Sequence, residues 1–314
     1  MSGTPRDARP RVAWREVDGI LLLDKPVGSS SNQALQRARR LYRAAKAGHT
    51  GSLDPLASGL LPLCFGQATK VSGLLLDADK TYRARLALGA RTTTGDAEGE
   101  VVERAPVPPL ERERVLRVLA GRVRPQDQLP PMYSALKRDG RPLYELARAG
   151  VEVAREPRRI VVHRLELLDL GPEALEFEVH CSKGTYVRTL GEDLARDLGT
   201  CGHLAALRRT AVAAFEGHAI HELAALEALA GDEAALDACL LPVDAALQAW
   251  PAVQLDAAGE LDFRHGRAAA CAATAAAPVR VYGPTGLLLG LGTVDGSRQR
   301  VLPDRLLAAA AGTD

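Results

Sequence analysis

Asp54 lies in the stretch Gly48-His49-Thr50-Gly51-Ser52-Leu53-Asp54-Pro55-Leu56-Ala57-Ser58-Gly59, where glycines and a proline shape an irregular backbone around one acid. Two readings fit. In one, Asp54 initiates an Asx turn at Pro55. In the other, the loop holds a carboxylate at a fixed angle in a cleft, as a nucleophile or base for an electrophilic carbon. Two further segments carry matching chemistry. Asp79-Lys80-Thr81-Tyr82-Arg83 places the Tyr82 ring on a strand, and Cys181-Ser182-Lys183-Gly184-Thr185-Tyr186-Val187-Arg188-Thr189 ends a strand and opens a helix with Tyr186 and Arg188. Aromatic residues are only 4% of the chain, so a tyrosine at each of two polar junctions stands out. The structural alternative is a core tyrosine with a hydrogen-bonded tip. Arg188 is either a surface helix residue or a partner that keeps Asp54 ionised.

Other chemistries leave no trace. GxxxxGK[ST], GxGxxG after a strand, HExxH and GxSxG do not occur, so no nucleotide, dinucleotide or metal cofactor is expected. The five cysteines are scattered without a CxxC pair, which fits free thiols in a reducing cytoplasm. No apolar run approaches the roughly 18 residues of a membrane span. Residues 1–16 are basic without an apolar segment and are expected to form a flexible tail.

The elements that would position these groups can be read from pattern. Residues 17–24 form a buried strand closed by Lys25-Pro26, and Ser29, Ser30 and Ser31 offer N-caps for a helix reaching about Arg43. Residues 45–59 read as loop, GLLPLCFG as a strand, QATKVSGLLLDA as a helix and TYRARLALGA as an alternating strand. After a turn, a strand (EVVERA) and an amphipathic helix (LERERVLRVLAGR), the proline-rich stretch 124–159 reads as an excursion from the core. A hairpin across Gly171-Pro172, a helix from Thr185 and a strand HLAALRRTAVAAF complete a mixed α/β (α+β) body with mainly antiparallel pairing. Acidic, alanine-rich helices over 221–248 act as connector, and short strand signals after Trp250 suggest a small β-rich second domain.

The net charge is only +1, but it is unevenly spread. Residues 1–60 carry 10 Lys/Arg against 5 Asp/Glu, residues 131–164 carry 8 against 4, and 180–210 carry 5 against 3. Residues 211–262 carry 10 acids and no Lys or Arg. A polyanion would be drawn to the first three stretches if the fold gathers them on one face; on charge alone, ordinary solvated surface is the simpler reading.

The segments DGILLLDKPVGSSSNQAL, AGHTGSLDPLASGLLPLCFGQATK, DKTYRARLALGARTTTGDAEG, PPMYSALKRDGRPLYELARAGVEVAREPR, CSKGTYVRTLGEDLARDLG and HLAALRRT occur in that order. Over about residues 17–215 the chain thereby resembles the bacterial tRNA pseudouridine-55 synthase family of the TruB type. The resemblance implies a catalytic domain over 17–248 with a thumb-like insertion near 124–159, and a PUA-like RNA-binding domain over 249–314. It implies Asp54 as catalytic carboxylate, Arg188 as its catalytic partner, Tyr82 as a catalytic ring against the target base and a candidate base or relay for the C5 proton, and Tyr186 at the same base. His49 would contact substrate, Leu207 would line the pocket, and Lys25 with Pro26 would pack beneath the loop, Lys25 also being a substrate-binding candidate. The implied reaction isomerises uridine 55 in the tRNA T loop, needs no cofactor, and suits a cytoplasmic monomer that requires no protein partner. A tRNA-folding chaperone role is compatible with it. The alternatives are a non-catalytic RNA-binding protein on the same scaffold, a glycoside hydrolase, which ordinarily needs a second positioned acid, and a guide-RNA-dependent relative.

Overall fold

The computed structural model describes residues 13–138, 140–273 and 278–307. β1 (Gly19–Lys25) is followed by α1 (Ser31–Leu41), which opens on a reciprocal capping box between Ser30 and Gln33. β2 (Ala47–His49), β3 (Ala57–Phe65), α2 (Ser72–Leu75) and β4 (Lys80–Leu88) come next. A ribbon of β5 (Ala90–Thr92) and β6 (Val101–Arg104) leads to α3 (Arg112–Arg122) and β7 (Pro125–Gln128). The small pair β8 (Lys137–Arg138) and β9 (Arg141–Pro142) precedes α4 (Leu143–Arg148). β10 (Arg158–Leu170), β11 (Ala174–Cys181), α5 (Val187–Asp197), β12 (Gly202–Val212) and β13 (His221–Glu222) close the main body. α6 (Leu223–Ala228) and α7 (Glu233–Asp237) then lead to β14 (Ala252–Gln254), α8 (Ala257–Arg264), β15 (Ala269–Ala270), β16 (Pro278–Tyr282), β17 (Leu288–Asp295) and β18 (Arg300–Leu306).

The main body is a nine-stranded sheet in the order β13-β1-β3-β12-β4-β11-β10-β7, with β2 also on β3. Pairing is antiparallel except for β1 with β13 and β3 with β12. The near-continuous apolar run of β1 follows from burial on both faces: Leu21 and Leu23 enter the larger core, while Ile20 and Leu22 enter a second core on the reverse side. β11 shows the other pattern, with Leu175, Phe177, Val179 and Cys181 buried and the residues between them half-buried. β14 to β18 form a separate five-stranded sheet with its own core around Phe263, Val281 and Val301. It docks through Val71, Leu247, Leu291 and Trp250, reinforced by Lys70 Nζ donating to the Leu306 carbonyl at 2.9 Å and Arg305 donating to the Lys70 carbonyl.

Several local expectations change. The stretch 45–59 is irregular only in its middle, because its flanks join the sheet as β2 and the start of β3. The helix expected over QATKVSGLLLDA is a 3-10 turn followed by the single turn of α2. Of the expected tail, residues 1–12 lie outside the described residues. Arg15, however, bridges to Ala44 and pairs with Asp237, while Trp14 lies under Arg39. The 124–159 stretch begins inside the sheet, since β7 pairs with β10. At and just after α1, two arginines meet the acidic connector: Arg37 pairs with Glu227 at 2.6 Å and Arg43 with Glu233, while Arg39 donates to the carbonyls of Ala44 and Ala45.

The parallel contact of β3 with β12 covers only Ala57–Gly59 against Leu207–Arg209, yet it joins the two strands that hold the site. It requires a glycine. Gly59 has φ +101°, and a Cβ there would fall 2.2 Å from the Arg209 carbonyl oxygen. Gly59→Ala should therefore destabilise the protein by about 2–4 kcal/mol in urea unfolding. Gly28→Ala, at φ +83° in open space, should cost only about 1–2 kcal/mol. Equal, small losses would show that the β3–β12 contact is not tight.

Candidate active site

The irregular segment between β2 and β3 is held from every side. The Ser31 hydroxyl accepts from Leu53 N–H at 2.7 Å and donates to Leu53 C=O at 3.0 Å. Gly28 N–H donates to Pro55 C=O and Thr50 N–H to Pro62 C=O. The turn at Pro55 closes through the backbone, Ala57 N–H donating to Asp54 C=O at 3.0 Å. The Asp54 side chain is therefore spared from the turn and extends to Arg188.

Arg188 is buried, with Nε 3.0 Å from Asp54 Oδ2 and 3.7 Å from Asp96 Oδ2. Its two terminal nitrogens donate to the carbonyls of Thr94 and Tyr133, each at 2.7 Å. Asp96 is itself fixed by the Thr94 hydroxyl at 2.5 Å and Glu98 N–H at 3.1 Å. The guanidinium thus cannot swing, and it faces two carboxylates of different character. Asp96 is sealed in, whereas 42% of the Asp54 side chain remains open. The crowded wall around Asp54 still pushes its carboxyl above the ordinary value. Asp96 pushes the same way, while Arg188 and Lys25 oppose.

Asp54 and Arg188 lie on a cleft of about 670 Å³ that Tyr82, Tyr186 and Leu207 also line. That size suits a nucleoside-sized group. Tyr186 is the residue before α5, and its backbone is gripped in both directions by Gln128, N–H to Oε1 at 2.8 Å and C=O from Nε2 at 3.0 Å. Burial raises the Tyr82 and Tyr186 phenols; Arg209 opposes this at Tyr82, and nearby Ser134, Arg158 and Arg188 oppose it at Tyr186. Lys80, Arg158, Arg159, Lys183, Arg188 and Arg209 line the same cleft against Asp54 and Asp77, and Asp77 is paired with Lys183. The surplus is cationic, as a polyanionic substrate requires.

Two expected site residues lie behind the loop. Lys25 is fully buried, its ammonium donating to the carbonyls of Pro26 and Ser29 at 2.9 and 2.5 Å, and burial pulls its pKa down to about 8 against the opposing pull of Asp54. His49 sits on β2, its buried Nδ1 without a hydrogen-bond partner among the described residues. Burial and then Arg209 lower its pKa, which favours the neutral ring. Asp96, Arg209, Ser31 and Gln128 are functional supports that sequence reasoning did not single out. Asp96 follows a Thr-Thr-Thr-Gly turn and Arg209 follows Leu207 by two residues, so both lie within motifs already noted.

Residues 39–187 match the model described as TruB family pseudouridylate synthase (N terminal domain). Residues 188–248 match tRNA pseudouridylate synthase B C-terminal domain, and 251–307 match Pseudouridine synthase II TruB, C-terminal. The chain is 52% identical over 299 residues to tRNA pseudouridine synthase B of Dechloromonas aromatica (strain RCB), covering 95% of this chain and 98% of that protein. It is 52% identical over 310 residues to the protein of the same name from Burkholderia mallei (strain ATCC 23344), covering 96% and 98%. Its fold is similar to a chain in the solved structure of an H/ACA RNP bound to a substrate RNA containing 2'-deoxyuridine, with TM-score 0.70 and 21% identity over 93% of this chain and 85% of that one.

Because one hydroxyl satisfies both backbone groups of Leu53, Ser31→Ala should lower stability by about 1–3 kcal/mol. The check is urea unfolding of the two proteins. A loss below a few tenths of a kcal/mol would mean that the loop holds its shape without this pin.

Proposed function

The chain belongs to the TruB pseudouridylate synthase family, isomerases that convert uridine to pseudouridine in tRNA, and we propose that its target is uridine 55 of the T loop, with Asp54 as the carboxylate acting on the sugar. The observation that supports this most is the asymmetric clamp on Arg188: one carboxylate sealed, the other open to the cleft and fixed in angle.

The reaction breaks N1–C1′, turns the uracil and joins C5 to C1′, with no net redox change. Near C1′, the open carboxylate stabilises positive charge or bonds to the sugar, as the nucleophile of a retaining glycosidase does. Removing the 2′ proton to give a glycal would employ the same group. Arg188 keeps the carboxylate ionised, Tyr82 and Tyr186 receive the base, and Leu207 supplies apolar wall. The uridine must first leave the helix stack at a cost of a few kcal/mol, which cationic contacts to the phosphates offset. Lys25 and His49 act in this reading from beneath the loop, His49 through the RNA-facing side of the loop it opens. The five-stranded sheet is taken as the PUA-like RNA-binding unit. Since Asp54, Arg188, Tyr82, Tyr186 and Leu207 meet within one chain, the enzyme is taken to work as a cytoplasmic monomer without a protein partner. Among the described residues no helix is long and apolar enough to cross a membrane.

Asp54→Asn is nearly isosteric but a poor nucleophile and base. It should abolish pseudouridine formation in an unmodified tRNA transcript, mapped nucleotide by nucleotide, while tRNA affinity changes by less than about threefold. Appreciable turnover by this variant would remove Asp54 from its role, and wild-type modification at another uridine would correct the target.

The pH dependence follows from the upward shift at Asp54. Catalysis needs the ionised carboxylate, so the single-turnover rate should fall as pH drops through its raised pKa and level off above it. The midpoint should lie above the ordinary aspartate value of about 3.9. A rate still flat at or below that value, with the protein folded by circular dichroism, would contradict the assignment.

A further inference from the structure

α5 opens without a side-chain cap of its own. Its N-cap residue is Tyr186, which lines the cleft, and a tyrosine is not among the residues whose side chains bond the free N–H groups of a first turn. A capping box would need Glu or Gln at the third helical position, and Thr189 stands there. Gln128, 58 positions earlier, supplies the missing partner. Its Oε1 accepts the Tyr186 N–H at 2.8 Å, and its Nε2 donates to the Tyr186 carbonyl at 3.0 Å. The same carbonyl accepts from the Leu190 N–H at 3.1 Å. Gln128 is buried and is the last residue of the edge strand β7, where the 129–157 stretch leaves the main sheet.

One primary amide thus meets both peptide planes that flank the Tyr186 Cα, as a neighbouring strand would. With both planes fixed, the direction of the Cα–Cβ bond is fixed, and with it the point from which the ring enters the cleft. Glutamine suits this task because its amide carries an acceptor and a donor side by side. The turn before Tyr186 offers less hold: Lys183 and Gly184 are exposed, and a Cβ at Gly184 would meet no atom within 4 Å. Arg188, two residues on, is secured separately by the Thr94 and Tyr133 carbonyls and by Asp54 and Asp96. What Gln128 sets is therefore Tyr186. We propose that Gln128 is a positioning residue for the isomerisation: from the root of the 129–157 stretch it aims the Tyr186 ring at the uracil. This rests on the reading of the cleft given above. The detached uracil has to stay within reach of C1′ while it turns from N1 to C5. A ring displaced by about 1 Å would let it settle out of line, which slows the chemistry while contacts to the phosphates keep the affinity.

The test is a double-mutant cycle of Gln128→Met and Tyr186→Leu in the full chain, read by single-turnover pseudouridine formation, by tRNA affinity and by the pH midpoint of the rate. Gln128→Met keeps the length of the side chain and removes both hydrogen bonds. It should slow the chemical step about 10- to 100-fold with affinity changed by less than about threefold, and Tyr186→Leu should slow it at least as much. In the Tyr186→Leu background, Gln128→Met should slow it by no more than about threefold further, because the ring it aims is gone. The pH midpoint of Gln128→Met should stay at the wild-type position, since Asp54, Asp96 and Arg188 keep their contacts. Should Gln128→Met fail to fold, Gln128→Glu, equal in length and keeping an acceptor for the N–H, carries the same comparison. An undiminished rate in the single variant, losses that multiply in the double one, a displaced pH midpoint, or a loss of affinity as large as the loss of rate would each overturn the inference and leave Gln128 as a brace of the helix end. Failure of the wild-type protein to form pseudouridine would instead sink the functional reading itself.

Discussion

The structure is organised around a desolvated guanidinium. A buried arginine is tolerable only when nearly every N–H is satisfied and its charge is compensated. Arg188 meets this demand with two backbone carbonyls and two carboxylates drawn from separate parts of the chain. Thr94 and Asp96 come from the ribbon after β4, Tyr133 from the stretch after β7, and Asp54 from the loop before β3. Placing Arg188 at the start of α5 thus obliges three distant segments to converge. Removing one partner would leave a buried charge short of a contact, which is why the open carboxylate is held as firmly as the sealed one.

The loop answers the same constraint from the other side. A segment of seven residues between two sheet strands would ordinarily sample several shapes. Here its backbone is bonded to Pro62 and Arg209 on strands of the sheet, to Ser31 on α1 and to Gly28 in the turn that joins β1 to α1. Rigidity at Asp54 is accordingly a property of its neighbours. The parallel contact between β3 and β12, with Gly59 against the Arg209 carbonyl, brings the loop close enough for the bonds to form.

Charge is used differently outside the site. The basic N-terminal segment and the acidic connector, so distinct in sequence, satisfy much of each other: Arg15 with Asp237, Arg37 with Glu227, Arg43 with Glu233. Such exposed pairs contribute little stability individually. The connector is anchored instead by buried Leu223, Leu226 and Leu236 and by the Tyr42 hydroxyl on the Leu236 carbonyl. Positive charge of the N-terminal segment is thus engaged within the fold at Arg15, Arg37 and Arg43, while the cleft carries a cationic surplus of its own.

The sequence by itself determined the local elements and the chemistry. Alternation in β4 and β11, the apolar run of β1 and the serine cap of α1 are nearest-neighbour effects, legible because they depend on side chains a few residues apart. The ordered motifs pointed to Asp54, Tyr82, Tyr186, Arg188 and Leu207, and the fold brings these five to one cleft. Only the tertiary structure decided which acid stays open and which is sealed, because Asp54 and Asp96 differ in what packs over them, not in type. It likewise put Lys25 and His49 behind the loop, folded residues 13–16 onto the body, and gave Ser31, Gln128 and Arg209 their tasks. Those tasks are hydrogen bonds to backbone groups 22, 58 and 158 positions away. No periodicity or composition encodes such a distance; it exists only once the sheet has brought the strands together.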